Sequence, residues 1–235
     1  MSMRLSLPLC PTASLVLLTA VATGAGAANP EEGLFDLDDL RVKITETLPY
    51  VEVEHAGKPV ILMRHQEPDH TIVAPYEQTA RDCPPYCIQP MQLAPGVETI
   101  GELELIAYLE RAAKGEPILV IDSRTEPWVS QGMIPGAIHL PYTRLDPAHA
   151  QPEAIAELLE FELGAIRLNA LWNFSAAKTL VFYCNGPWCG QSPTNIRALL
   201  ALGYPVDRIK WYRGGMQMWE QLGLTTVKSS AAPED

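Results

Sequence analysis

The stretch that decides the fold reads Leu180-Val181-Phe182-Tyr183-Cys184-Asn185-Gly186-Pro187-Trp188-Cys189-Gly190-Gln191-Ser192. A short apolar run ends on a cysteine, a loop rich in glycine and proline follows, and a helical pattern begins near Ser192. This order predicts a β-strand that delivers a thiol into a tight loop at the start of a helix. The backbone N–H groups of such a loop, together with the helix dipole, favour an anion, here a thiolate or a persulfide.

The sequence around this stretch alternates between helical patterns and short apolar strands from Thr99 onward. Strands are predicted at 117–122, 178–184 and 208–212, and helices at 99–113, 152–167, 192–202 and 214–222. A capping-box pattern from Thr99 to Glu102 places the start of the first helix. The alternation predicts an α/β fold with a mostly parallel sheet covered by helices on both faces. Ligands bind such sheets at the carboxyl ends of the strands, where Asp122-Ser123-Arg124 and Cys184 both lie.

An N-terminal extension precedes this domain. Residues 50–55 alternate apolar and polar side chains, a turn is predicted at 56–59, and 60–64 form the return strand of a β-hairpin. Residues 68–95 predict a long irregular segment, which a compact domain tolerates when something ties it down or uses it. A disulfide between Cys83 and Cys87 is the favoured tie, with a second redox pair facing the active loop as the alternative.

Length and composition narrow the class of protein. The chain has 235 residues, of which 47% are hydrophobic and 19% charged, so it can build a sizeable core. Its net charge of −11 argues against a nucleic-acid-binding surface. An acidic chain must also build any anion site locally, from backbone amides or single arginines.

The first residues predict a secretory signal peptide. Arg4 is followed by an apolar stretch, and Ala25-Gly26-Ala27 matches an A-x-A cleavage site. We therefore expect a signal peptide at 1–27, an extension with the hairpin and the Pro/Cys-rich loop at 28–95, an α/β domain at 96–228 and a disordered tail at 229–235. Export across the inner membrane, with a periplasmic location and no membrane span after cleavage, is the corresponding prediction.

Four stretches in order make the chain resemble the rhodanese family of sulfurtransferase domains. They are Leu119–Arg124, Gly132–Ile138, Val181–Cys184 and Trp211–Trp219. Each stretch alone is a weak signal, and the ordered set, spanning about 97–227, is a strong one. The resemblance implies a rhodanese fold whose cysteine accepts a sulfane sulfur as a persulfide and passes it on.

The family's site residues carry over onto matching positions of this sequence. The resemblance implies that Cys184 is the nucleophile and that Asp122 and Arg124 support the site from the neighbouring strand end. The anion cradle is the loop after the nucleophile; its members are Asn185, Gly186, Pro187, Trp188 and Gly190. Such chemistry requires no metal and no cofactor. The expected partners are a small sulfur compound or a thiol-bearing protein acceptor, and a periplasmic reductant.

This chain departs from the family pattern at its active loop. The loop is longer than the commonest sulfurtransferase loop and contains no Arg or Lys, so a dianion would meet backbone dipoles and at most Arg124 or Arg213. Thiosulfate is therefore a doubtful donor. The related phosphatase and arsenate-reductase branch needs Cys-x5-Arg, but Gly190 stands where that arginine would be, which argues against phosphoryl transfer. Met133 occupies a turn position that is usually His.

Cys189 is the unusual feature of the loop, and it leaves three functions open. It can be a resolving or regulatory thiol for a persulfide on Cys184. It can also form a thiol–disulfide redox couple with Cys184 that carries no sulfane sulfur. In the third reading both cysteine pairs are structural disulfides in a non-catalytic binding module.

A metal site is not expected in this chain. Cys83 and Cys87 with His65 or His70 offer too few ligands at suitable spacing for zinc. His139 is expected to be packed or hydrogen-bonded rather than catalytic.

Overall fold

The computed structural model describes residues 37–169 and 171–228. The predicted signal peptide and the C-terminal tail lie outside the described residues, as does the start of the extension. Within the described part, an N-terminal hairpin packs against an α/β domain, as the sequence predicted.

The central feature is a parallel sheet of five strands. In spatial order these are β3 (Glu98–Ile100), β9 (Ile209–Tyr212), β8 (Thr179–Tyr183), β4 (Ile118–Asp122) and β5 (Ile138–His139). Every neighbouring pair is parallel. The strand that leads to Cys184, β8, is the middle one, and its first four residues after Thr179 are completely buried. Continuous apolar runs of this kind are typical of strands covered on both faces.

Two hydrophobic cores lie on the two faces of this sheet. On one face, α1 (Glu102–Ala113) and α5 (Gly215–Gln221) pack around Leu105, Ile106 and Trp219. On the other face, α3 (Pro152–Glu157) and α4 (Gln191–Ala201) pack around Ile155, Ile196 and Leu199. A single-turn helix, α2 (Glu126–Val129), follows β4. The layered arrangement is the predicted one of helices on both faces.

The hairpin of the extension is part of the first core. Strands β1 (Tyr50–His55) and β2 (Lys58–Met63) pair antiparallel around a two-residue turn, Ala56-Gly57, in which both residues have positive φ. This geometry matches the right-handed twist of the strands. Alternate residues Val51 and Val53 point into the core beside α1. The predicted four-residue turn is therefore too long, because Lys58 and Pro59 already belong to β2.

Several predicted boundaries were wrong. Thr99 does not start a helix, because it lies in β3 and its hydroxyl donates to the carbonyl of Met91. The helix begins at Glu102, and Glu104 reaches back to the N–H of Gly101 instead. The helix predicted to reach 167 ends at Glu162 after a π-helical turn from Leu158. A small hairpin, β6 (Ile166–Leu168) and β7 (Leu171–Asn173), follows it and was not predicted.

Candidate active site

Cys184 is the first residue after the middle strand. Its side chain is 2% exposed, and the loop 185–190 separates it from the start of α4 at Gln191. The start of α5 holds this loop from the other side, because Met216 and Gln217 donate their N–H groups to the carbonyls of Cys184 and Asn185, both at 2.9 Å. The strand and two helix starts therefore fix the position of the Cys184 sulfur.

The pKa of the Cys184 thiol is lower than usual, because the polar groups around it lower the pKa by more than burial raises it. Burial alone would raise its pKa, but hydrogen bonds from the Cys189 thiol and from the Ser192 and Gly186 N–H groups bring the pKa below its ordinary value. The Ser192 hydroxyl contributes in the same direction, although it is fully buried and has no hydrogen-bond partner in the structure. The site is thus arranged to hold an anionic sulfur without a cationic side chain.

Cys189 lies in the same loop, but its pKa is shifted in the opposite direction. It is 4% exposed, and burial together with the neighbouring Cys184 raises its pKa well above the ordinary value. The N–H groups of Asn185 and Gln191 face its sulfur and only partly oppose this effect. Of the two thiols, Cys184 is therefore the one that loses its proton more readily. As thiols, Cys184 donates to the carbonyl of Cys189 at 3.5 Å and Cys189 to Gln191 Oε1 at 3.6 Å. The structure holds both as free thiols.

Asp122 and Arg124 lie at the neighbouring strand end, as predicted, and they support the site indirectly. Arg124 pairs with Asp122 at 2.6 Å, and both side chains are completely buried. The remaining Arg124 donors bind the carbonyls of Trp128 and Gly132 and the hydroxyl of Tyr76. Protein groups therefore bind the donors of this guanidinium. That a dianion at Cys184 would meet Arg124 stays a prediction.

Arg213 is also occupied by the protein. Its Nε and Nη2 donate to the carbonyl of Gln89 at 3.2 and 2.8 Å. A second cation beside the loop is Arg81, whose guanidinium stacks 3.9 Å from the centre of the Trp188 ring. That ring also donates through Nε1 to the side chain of Gln217. Trp188 therefore joins the active loop to the extension and to α5.

The extension covers the active loop through a chain of direct contacts. The N–H of Gln89 donates to the carbonyl of Pro187 at 2.8 Å. The hydroxyl of Tyr76 donates to Asn185 Oδ1 at 3.3 Å, and Tyr86 packs edge-on against Trp188. The Cys83–Cys87 disulfide closes the short loop that carries Tyr86.

Two cavities flank this covered loop. One, of about 400 Å³, is lined by Cys189 and by the aromatic rings of Tyr86, Trp128 and Tyr142. The other, of about 770 Å³, is lined by Arg81, Arg213 and the Cys83–Cys87 disulfide, among others. Tyr86 is shared by the two cavities, whereas Cys189 lines the smaller one.

Three residues that matter here were missed by sequence reasoning. Ser192 was read as the start of a helix, although its position just after the loop could have suggested a hydroxyl near the sulfur. Tyr76 and Gln89 lie in the irregular extension, where neither periodicity nor motif distinguishes them. His139 was predicted correctly as a packed residue, since its Nε2 lies 2.8 Å from the carbonyl of Arg124.

Neither a metal site nor a membrane helix is found in the part of the chain that the structure describes. Within 37–169 and 171–228, no three His, Cys, Asp or Glu side chains cluster as metal ligands would. None of the helices in the same ranges combines the length and the apolar character needed to span a bilayer.

The fold and the site together define an α/β domain with a parallel sheet. Its candidate nucleophile, Cys184, directly follows the middle strand and is joined to a helix by a short loop. A sequence model described as "Rhodanese-like domain" matches residues 105–222, just over half of the 235 residues. The chain therefore belongs to the rhodanese-like domain family.

The solved structures that this chain resembles are distant from it in sequence. A Rhodopseudomonas palustris protein of unknown function, described as a possible tyrosine phosphatase, is 20% identical; the match covers 56% of this chain and 85% of that one, with a TM-score of 0.37. A human single-domain sulfurtransferase is 24% identical, with coverages of 52% and 95% and a TM-score of 0.34. A 3-mercaptopyruvate sulfotransferase of Escherichia coli is 21% identical; the match covers 52% of this chain and 43% of that one, with a TM-score of 0.35. None of the curated proteins matches the sequence.

Proposed function

We propose that this protein is a sulfurtransferase or persulfide carrier that holds a sulfane sulfur on Cys184. The observation that carries the proposal is the position of Cys184, buried between the end of the middle strand and the starts of α4 and α5. The polar groups around its sulfur bring its pKa below the ordinary value. A thiolate is the nucleophile that attacks a sulfane donor, and the amides that stabilise it also stabilise the persulfide anion that follows.

The loading step follows from this arrangement. The Cys184 thiolate attacks the outer sulfur of a donor, forming a new S–S bond, while the donor's bond to that sulfur breaks and its electron pair leaves with the donor fragment. The product is Cys184–S–S⁻. An external nucleophile then attacks the terminal sulfur and regenerates the Cys184 thiolate. No cofactor enters either step.

Cys189 offers a second outcome for the loaded enzyme. Attack by the Cys189 thiolate on the inner sulfur of the persulfide gives a Cys184–Cys189 disulfide and releases hydrosulfide. The sulfane sulfur is reduced in this step while the two thiols are oxidised. Cys189 is therefore proposed as the resolving or regulatory thiol, and a thiol reductant returns the pair to its starting state.

A thiol–disulfide redox protein is the second candidate. The burial of Cys184 and Cys189 in one short loop favours it, because the Cys184 thiol already donates to the carbonyl of Cys189 at 3.5 Å. The third reading, a non-catalytic module in which both pairs are locked as disulfides, finds less support because the structure holds this pair as free thiols.

The setting of this activity is part of the proposal. The predicted signal peptide at 1–27 and the Cys83–Cys87 disulfide both fit a periplasmic protein, where disulfides persist. In that compartment the partners would be a small sulfur compound or thiol-bearing protein as acceptor, and a periplasmic reductant.

Mass spectrometry of the intact mature protein tests the proposal. The reduced protein is incubated with an organic hydropersulfide as the sulfane donor, whose terminal sulfur is transferred while its thiolate leaves. Cys184→Ser, Cys189→Ser and, as a matched control outside the loop, Cys83→Ser/Cys87→Ser are treated in the same way. We expect one extra sulfur on Cys189→Ser, none on Cys184→Ser, and a loss of two hydrogens at the Cys184–Cys189 pair in both the unmodified protein and the control once the disulfide forms. Absence of a sulfur adduct from every variant, with disulfide formation intact, would favour the redox candidate instead.

A further inference from the structure

The two thiols of the active loop differ in which of them faces a cavity. Cys189 lines the cavity of about 400 Å³, whereas Cys184 is not among its lining residues. A molecule that occupies this cavity therefore meets the Cys189 sulfur first. The difference becomes important once the two cysteines form a disulfide, because a reductant must attack one particular sulfur of the two.

The walls of this cavity carry no ionised side chain. The aromatic part is formed by Tyr86, Trp128 and Tyr142, and neutral polar groups such as Thr125 and Thr194 complete it. The nearby guanidiniums of Arg81 and Arg213 line the neighbouring cavity instead. A further negative group on an entering thiol loses part of its hydration in the neutral cavity and finds no countercharge there. The net charge of the chain, −11, also opposes it.

We propose that a small thiol with no charged group besides its reacting thiolate enters this cavity and attacks Cys189 in the Cys184–Cys189 disulfide. The thiolate of the incoming molecule forms a bond to the Cys189 sulfur, and the bond between the two cysteines breaks. Cys184 leaves with the electron pair as a thiolate. A second thiol molecule then attacks the mixed disulfide and releases a low-molecular-weight disulfide and the Cys189 thiolate, which takes up a proton.

The direction of this attack agrees with the electrostatics of the loop. A thiol leaves faster when its thiolate is better stabilised, and the amides of Gly186 and Ser192 face Cys184. Attack on Cys184 would instead expel Cys189, whose thiolate is poorly stabilised beside its neighbour. Access from the cavity and the stability of the leaving Cys184 thiolate thus both favour attack on the sulfur of Cys189.

The inference rests on the proposed function only in that it needs the Cys184–Cys189 disulfide. That disulfide can be made directly with diamide, so the test requires no sulfane donor. If the protein never accepts sulfane sulfur, the proposed function fails while this inference is still decided by its own experiment.

The first measurement maps the attacked sulfur. The diamide-oxidised protein is treated briefly with 2-mercaptoethanol and then quenched with an excess of N-ethylmaleimide, and the modified cysteines are located by peptide mass spectrometry. We expect the mercaptoethanol adduct on Cys189 and the maleimide on Cys184. The reverse pattern, or equal amounts of both, would overturn the proposal.

The second measurement tests the preference for an uncharged thiol. The rate of disulfide opening is compared for 2-mercaptoethanol and 2-mercaptoethanesulfonate, which are similar in size and thiol acidity. We expect the neutral thiol to react faster by about threefold to tenfold, and the ratio to persist at high salt, where long-range repulsion is screened. Equal rates would overturn the proposal.

A charge placed in the cavity provides the matched control. Thr125→Lys adds a cation to the lining and should reduce the preference for the neutral thiol, whereas Ser130→Lys adds the same charge at an exposed position outside the lining and should not. Equal effects of both variants would mean that net charge, not the cavity, sets the preference. If Thr125→Lys fails to fold, the comparison of the two thiols on the unmodified protein still decides.

Discussion

The carboxylate of Asp122 and the guanidinium of Arg124 form an ion pair of 2.6 Å in which neither side chain is exposed. Replacing Asp122 with Ala leaves the buried guanidinium without its countercharge. Breaking a buried pair in this way costs about 3–5 kcal/mol of unfolding free energy. Urea denaturation measures the loss. Arg111→Ala, which removes an exposed ion pair with Glu116, is the control and should change stability little. A loss below about 1 kcal/mol for Asp122→Ala would contradict a structural role for the pair.

The hydroxyl of Tyr76 connects this ion pair to the active loop. It accepts a hydrogen bond from Arg124 at 3.0 Å and donates one to Asn185 Oδ1 at 3.3 Å. Tyr76→Phe leaves both partners unsatisfied in a buried place, so we expect a loss of about 1–3 kcal/mol in the free energy of unfolding. Loading of Cys184 with sulfur should also slow several-fold, because Asn185 is the next residue. Tyr50→Phe, in the hairpin, is the control. An unchanged loading rate would show that Asn185 does not need this support.

How much of this structure the sequence predicts depends on how many residues carry the pattern of each element. The sheet and its helices were predictable because apolar runs such as 180–183 and helical periodicities persist over many residues. Thr99 misled the prediction, because a capping-box pattern fits a residue that tertiary pairing with Trp211 places in a strand. The hairpin of β6 and β7 is short and exposed, and short elements carry little periodicity.

The residues of the candidate site likewise divide into those that a local motif marks and those that no local pattern marks. Cys184, Asp122 and Arg124 were predicted because motifs lie at the ends of predicted strands. The roles of Tyr76 and Gln89 depend on how an irregular segment of the extension returns across the active loop. Such a path is set by contacts between residues about a hundred positions apart, such as that of Tyr76 with Asn185, and no local pattern encodes it.

Glycine at position 215 permits the close approach of α5 to the active loop. A side chain there would collide with the carbonyl oxygen of Cys184 and lie 2.7 Å from the nitrogen of Gly186, and the backbone φ of +56° already disfavours other residues. Gly215→Ala should therefore destabilise the protein by about 1–3 kcal/mol and displace the loop. Gly190→Ala is the control within the loop itself, because its added carbon would lie 3.9 Å from Gln89 and its φ is not positive. Urea denaturation and the sulfur-loading rate of both variants test this, and equal effects would contradict it.

The hydrogen bonds around Cys184 predict an unusual pH dependence for its reactivity. Because they lower the pKa of Cys184, while burial and the neighbouring sulfur raise that of Cys189, the pair loses one proton below the ordinary thiol range and the second above it. Alkylation of Cys184 by iodoacetamide should thus reach half its maximal rate at a lower pH than that of an ordinary cysteine. Ser192→Ala removes a buried hydroxyl that helps to lower the pKa of Cys184, so the midpoint should move to higher pH and alkylation at neutral pH should slow. Ser130→Ala, at an exposed position, should leave the midpoint unchanged. A midpoint that does not respond to Ser192→Ala would mean that the backbone amides and Cys189 alone hold the thiolate.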